Sequence, residues 1–327
     1  TPGDGLLSLD EYRVINLLVD LGFSPNGSGF GVFKKTAVDY SPIVGRNLDW
    51  QGSEALLSLQ VVTVYHFDDI SVVNIGFAGM LSILSGFNSD GLFVSVINAT
   101  PFNPYQKQPE THRRPNASAF DLRKLLETRD SIKKASQFLS GKKYGFDMNF
   151  LLADKESIKV LEYSAATSAN LRQWDSPTHR GQRWKNKDQI AVVDCFALIS
   201  SPKNCKSPKD IVRWTRFDKL SIFKPTLLAE MNNISAIMFD RSNHNYEVFN
   251  QHTLQSMVYK PKNSSLYLYA AGASGEHPKN PVHQVYLDLL PPREKSFSFK
   301  DIELKWLVWA LLASLLSLAV WQLQKKK

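Results

Sequence analysis

At 327 residues, with 43% hydrophobic and 21% charged side chains, the chain has the length for one large or two small globular domains, and its composition excludes a disordered chain or a coiled coil. Two cysteines exclude a disulfide-stapled scaffold, a zinc ribbon and an iron–sulfur protein, each of which needs more thiolates. The net charge of +8 comes partly from the closing Lys325–Lys327 run, and no basic stripe or matching motif accompanies it, so no nucleic-acid partner is expected.

Leu6, Leu9, Tyr12, Val14, Ile15, Leu17, Leu18 and Leu21 sit in a mostly helical pattern that Pro25-Asn26-Gly27 breaks, which predicts an N-terminal helical segment over 1–26 leading into the body of the protein. Strand-like runs then crowd together at Phe30–Val38, Ile43–Arg46, Leu56–Phe67, Ile70–Phe77 and Leu92–Ile97. Helices are expected at Ala117–Thr128, with Asn116 as its cap, and at Ser131–Leu139. Strands resume at Asn149–Ala153 and Ile158–Tyr163. Helices at Pro208–Leu220 and Thr226–Met238 lead to a last strand pair, Thr253–Tyr259 and Leu266–Ala271. Strands, then helices, then strands argue for a layered α/β or α+β sandwich with antiparallel hairpins over 27–273.

Residues 274–303 are mostly polar and read as a stalk. Trp306 to Gln324 carries no charge and is apolar at every helical phase; roughly 18–19 residues at 1.5 Å each cross a hydrocarbon core of about 30 Å. Tryptophans near both ends and the following lysines suit a single transmembrane helix over Trp306–Leu323. A short cytoplasmic tail and an exoplasmic main domain follow, with 304–327 as anchor and tail. A long buried core helix is the competing reading. Five Asn-x-Ser/Thr sequons, at Asn26, Asn98, Asn116, Asn233 and Asn263, permit glycosylation. Cys195 and Cys205 are either a short disulfide loop or two free thiols.

The sharpest chemical segment is Gly45-Arg46-Asn47-Leu48-Asp49-Trp50 at a strand end: a guanidinium and a carboxylate three apart, with a flanking Asn, form a fixed polar cluster or simply close a turn. About eighteen residues earlier, Asn26-Gly27-Ser28-Gly29-Phe30-Gly31-Val32-Phe33 turns from helix to strand. Among the seven His there is no His-Glu-x-x-His or similar ligand spacing, and no nucleotide fingerprint or Gly-x-Ser-x-Gly elbow occurs, so neither metal nor cofactor is expected.

With these segments the chain resembles the N-terminal-nucleophile (Ntn) hydrolases of the choloylglycine hydrolase group, which includes bile salt hydrolase, penicillin V acylase, acid ceramidase and N-acylethanolamine-hydrolysing acid amidase. The resemblance continues through Gly76-Phe77-Ala78-Gly79-Met80, Gly86-Phe87, Gly91-Leu92-Phe93 and Ile97-Asn98. It extends to Asn149–Ser157 with Val160–Tyr163, and to His252–Tyr259. It implies a four-layer αββα sandwich, hydrolysis of a linear amide, and a lipid-like N-acyl amide as substrate or ligand.

In that group the first residue of the mature chain is a Cys, whose thiolate attacks the amide carbonyl while its freed α-amine takes the proton. The resemblance places Gly27 at this position, with Ser28 in the following Thr/Ser place. Glycine has no attacking atom, which gives three readings: a site disabled at Gly27, a Ser28 enzyme, or a different fold or chemistry; a non-catalytic binding or structural protein on the same fold competes with the enzyme. Carried over residue by residue, Arg46 orients the nucleophile, Asp49 holds the α-amine and Asn98 contributes to the oxyanion hole. Asp194 matches a second family Asn, where a carboxylate would repel an oxyanion. The family's late Arg falls on Arg216, with Arg213 as competitor. A Cys restored at position 27 is expected to bring back self-cleavage and amidase activity.

Overall fold

Ser8 and Glu11 cap each other to start the first helix. The Ser8 hydroxyl accepts from the Glu11 N–H at 3.2 Å, and the Glu11 carboxylate accepts from the Ser8 N–H at 2.8 Å. From there α1 (Leu9–Leu17) and a 3₁₀ turn (Leu18–Leu21) carry Val19 into the core. The Asn16 side chain fastens this segment to the body, donating to the Gly79 carbonyl at 3.2 Å and accepting from Leu81 N–H at 2.6 Å.

The computed structural model describes residues 8–21, 25–50, 54–99, 116–179, 187–206, 211–221, 228–241, 247–272 and 283–293. The expected transmembrane helix over Trp306–Leu323 lies outside them; among the described residues no helix is long and apolar enough to cross a membrane.

β1 (Asn26–Val32) begins four residues before the sequence pattern placed it, because Gly27, Gly29 and Gly31 contribute little strand propensity. Their role is spatial. A Cβ on Gly29 would sit 2.6 Å from the Leu151 side chain, and one on Gly31 would sit 2.4 Å from Ile158. One bare face of the strand thus admits a second sheet almost to the backbone. The strand ends at Val32 rather than Val38, in two 3₁₀ turns with Lys34, Asp39 and Tyr40 at positive φ. β2 (Ile43–Asp49) returns antiparallel, setting Asn26 opposite Asp49, Ser28 opposite Asn47 and Gly29 opposite Arg46.

Where one strand was expected from Leu56, α2 (Glu54–Ser58) precedes β3 (Gln60–His66). β4 (Ser71–Phe77), β5 (Ser85–Asn88) and β6 (Phe93–Asn98) follow. Next come α3 (Ser118–Thr128) and α4 (Ile132–Ser140). β7 (Met148–Ala153), β8 (Ile158–Tyr163), β9 (Ala169–Arg172) and β10 (Gln189–Val193) continue the sheets. Asn116 is not the cap of α3: the cap position is Ala117, and the Asp20 carboxylate accepts from both Ser118 N–H and its hydroxyl at 2.7 Å. α5 (Ile211–Ser221), α6 (Met231–Met238), β11 (Thr253–Lys260), β12 (Ser265–Ala270) and β13 (His283–Val285) complete the described elements. The region read as stalk therefore contributes β13, paired with β12, and Leu290, whose N–H donates to the Ser71 hydroxyl at 2.8 Å.

Two antiparallel sheets result. A six-stranded one runs β10-β1-β2-β11-β12-β13, and a seven-stranded one follows chain order from β3 to β9. Val44, Ile190, Met257 and Tyr259 from the first meet Val73, Phe87, Phe93, Ile97 and Val160 from the second, with Phe87 and Tyr259 stacked at 4.0 Å. Trp214 and Phe217 of α5 and Ile234 and Met238 of α6 cover the outer face of the first sheet over Phe30, Val32 and Ile43. Leu122, Leu125 and Leu126 of α3, and Ile132 and Leu139 of α4, cover the second over Val94, Phe150 and Leu152. The order is helix, sheet, sheet, helix. Each apolar face finds a partner layer, which is what the αββα arrangement requires.

Candidate functional site

The site forms where β1, β2, β6 and β10 end together. Side chains on paired strands share a face, and faces alternate along each strand. Gly29 and its partner Arg46 face the second sheet; Ser28, Asn47, Phe30 and Asp49 face the helix layer. The hexapeptide therefore does not form one cluster. Its Arg and Asp turn to opposite sides of the sheet.

Arg46 is wholly buried, donating from Nε to the Ser95 hydroxyl at 2.7 Å and from Nη2 to the Val96 carbonyl at 2.9 Å, with the Asn26 carbonyl at 3.5 Å. Its Nη1 has no hydrogen-bond partner. Burial pushes the guanidinium down to about 9, opposed by the nearby Asp49 carboxylate, so the side chain stays charged near neutrality. The residue is an inter-sheet cross-link bearing one spare donor.

Asp49 is held by three side chains. Its Oδ1 accepts from the Thr253 hydroxyl at 2.7 Å, while Oδ2 accepts from Asn250 Nδ2 at 2.7 Å and Arg216 Nη1 at 3.3 Å. Asp194 lies one residue beyond the Val193–Ser28 pair, beside Gly27, and accepts from Arg213 Nε at 2.7 Å. The two arginines sit three apart on α5 and each engages a carboxylate flanking Gly27. Both candidates for the late Arg are thus in the site, with different partners. Asn98 closes it from the second sheet: buried at the end of β6, its N–H donates to the Pro25 carbonyl at 3.0 Å.

The sequence reading missed Asn250 and Thr253, the two side chains that fix Asp49, and Ser95, the partner of Arg46. It also gave no role to Asn149, whose Nδ2 donates to the carbonyls of Val193 and Cys195 at 2.8 and 3.0 Å and steadies the turn that carries Asp194. Cys195 and Cys205 form a disulfide that closes the start of the connection from β10 to α5. Among the described residues no group of three or more His, Cys, Asp or Glu is placed to hold a metal ion.

Gly27 stands at φ +130°, a backbone conformation for glycine, and a Cβ on it would meet the Asn47 carbonyl oxygen at 2.0 Å. Ser28 is placed differently. It lies mid-strand between Asn47 and Val193, is fully buried, has no partner for its hydroxyl, and points to the helix layer while Arg46 points the other way. The hydroxyls that meet the charges of the site are those of Ser95, on Arg46, and Thr253, on Asp49.

No family model and no curated protein matches the chain. Among solved structures, it is similar to the Caenorhabditis elegans N-acylethanolamine-hydrolyzing acid amidase ortholog. That match has a TM-score of 0.54 at 19% identity over 72% of this chain and 92% of that one. A variant of the conjugated bile acid hydrolase of Clostridium perfringens follows at TM-score 0.43 and 15% identity, covering 84% and 99% of the two chains. Penicillin V acylase from Agrobacterium tumefaciens gives 0.38 and 12%, covering 75% and 83%. At these identities the likeness speaks for the fold, and that fold is the one carried by Ntn hydrolases.

Proposed function

We propose that this chain is a non-hydrolysing member of the Ntn fold, one that binds a lipid-like N-acyl amide and has turned the catalytic corner of the fold into a structural joint. The observation that carries the reading is position 27. It has no side chain, its backbone conformation suits glycine, and the space beyond it is taken by Asn47. What supports the joint is the use of its charges. Both oxygens of Asp49 are committed, to Arg216, Asn250 and Thr253, so that carboxylate is not reserved for a free α-amine; Asp194 pairs with Arg213 through Oδ2 and keeps Oδ1 without a hydrogen-bond partner. The ligand class rests on the fold it shares with a protein named for hydrolysing N-acylethanolamines. The apolar stretch Trp306–Leu323 supports placing the domain at a bilayer, on its exoplasmic side.

The test is a titration with a long-chain N-acylethanolamine, read by tryptophan fluorescence and by mass spectrometry of the products. Trp50 follows Asp49 directly and packs edge-on against Phe77 at 5.7 Å, so a ligand at this corner perturbs it. Saturable quenching with no release of fatty acid is expected. Fatty acid released in proportion to protein would overturn the reading.

A further inference from the structure

The sequons offer a discovery independent of the amide reading, because the fold separates them. Asn98 is 6% exposed at the end of β6, which leaves a branched glycan no path out, and Asn26 is half-buried in β1 with its sequon hydroxyl, on Ser28, fully buried. Asn116 and Asn233 are at the surface, but each spends its side-chain carbonyl on the fold. Asn116 Oδ1 accepts from Lys143 N–H at 3.0 Å, and Asn233 Oδ1 accepts from Glu230 N–H at 2.8 Å to cap α6. Their sequon hydroxyls, on Ser118 and Ser235, are buried.

Asn263 differs in its surroundings and in its hydroxyl residue, while its Oδ1 also accepts a backbone N–H, from Ser265 at 3.4 Å. It is exposed in the turn between β11 and β12, and its hydroxyl residue, Ser265, is only half-buried at the start of β12. It also lines a cavity of about 350 Å³ with Val38, Asp39, Glu230, Tyr267 and Gln284. Lys260 lines it too and pairs with Asp39 at 3.2 Å, while Glu230 caps α6. Such a mixed polar lining, with carboxylate oxygens, an amide and a tyrosine, offers a pyranose both hydrogen-bond partners and apolar contact. The Cys195–Cys205 disulfide fits an oxidising compartment, the setting in which sequons are used.

We propose that Asn263 carries an N-linked glycan whose first N-acetylglucosamine occupies this adjoining cavity. The donor is a lipid-diphosphate-linked oligosaccharide. The Asn263 amide nitrogen bonds to sugar C1, the C1–O bond to the diphosphate breaks, the lipid diphosphate leaves, and one amide proton passes to solvent.

The full chain expressed through a eukaryotic secretory pathway tests both parts. Enzymatic deglycosylation in heavy-oxygen water marks each glycosylated Asn as labelled Asp. Label is expected at Asn263 and none at Asn26 or Asn98 in folded protein. An unlabelled Asn263, or a labelled Asn98, overturns the site. For the cavity, protein trimmed to one sugar is compared with wild-type protein made without glycosylation, so that position 263 stays Asn in both. The one-sugar form is expected to melt about 2–4 °C higher, with the gap closed in Gln284→Ala. Equal melting of the two wild-type forms overturns the seating of the sugar.

Discussion

The carbonyl oxygen of Asn47 occupies the place where a side chain on Gly27 would begin, with an ideal Cβ only 2.0 Å from it. The two residues belong to adjacent strands whose register also sets Asn26, not Gly27, directly opposite Asp49. A side chain at position 27 therefore requires the backbone of β1 or β2 to shift. A Cys at 27 has to move this carbonyl before its thiol can take part in any chemistry.

Replacing Gly27 by Cys or Ala is expected to lower stability by about 2–4 kcal/mol, from strain at positive φ together with displacement of the Asn47 carbonyl. Urea unfolding checks this. A Gly27→Cys protein as stable as the wild type, with amidase turnover, would show that the backbone yields where the structure has it closed.

The two Arg–Asp joints are expected to differ in weight. Asp49→Ala strands Arg216, Asn250 and Thr253 in a site where the Arg216 side chain is 11% exposed, and should cost about 3–5 kcal/mol. Asp194→Ala releases Arg213, whose side chain is 24% exposed, and should cost about 1–2 kcal/mol because water screens the freed charge. Equilibrium unfolding of both variants decides the order, and the reverse ranking would mean the burial difference does not control these pairs.

Asp20 supplies a pH dependence. Burial raises its pKa above the ordinary 3.8, against the hydrogen bonds from Ser118, and its Oδ2 is unpartnered. A carboxyl raised in the native state keeps its proton where the unfolded chain has lost it. Its contribution therefore favours folding at the acid end and is lost as pH rises through the native pKa. Relative to Asp20→Asn, the wild type should gain stability as pH falls from neutrality towards 3.8. Parallel unfolding curves over that range test it; a constant difference between the two proteins would remove Asp20 as the titrating group.

Opening the Cys195–Cys205 loop should also be measurable. A closed loop with a sequence separation of 10 restricts the unfolded chain, and the double Ser variant is expected to lose about 2–4 kcal/mol. Loss of protection from hydrogen exchange should concentrate in α5, since the same connection delivers Arg213 and Arg216. Uniform loss across both sheets would argue that the bridge does not position that helix.

Much of this architecture was legible because its strands carry their own signal. β7–β8 and β11–β12 alternate branched and aromatic residues around turns, and both hairpins lie where the pattern put them. β1 was hidden by the glycines that let the sheets approach, and α2 by a short Leu56-Leu57 run that serves helix and strand equally. In the site, residue types were readable but partners were not. Asn250 and Thr253 meet Asp49 from 201 and 204 residues away, and Asp20 caps α3 from 98. No local spacing encodes such contacts; the sheet order creates them.

The central claim is that the corner around Gly27 performs no self-cleavage, and denaturing electrophoresis with N-terminal sequencing of the purified full chain tests it most directly. Ntn activation cuts the peptide bond just before the nucleophile, using that residue's own side chain. Gly27 offers no such atom, and the Ser28 hydroxyl is buried on the face away from Arg46. The account predicts one uncut polypeptide, with the helical segment ahead of Asn26 still attached after prolonged incubation at acidic and neutral pH. A new N-terminus at Ser28 would contradict it and support the reading of Ser28 as an N-terminal nucleophile.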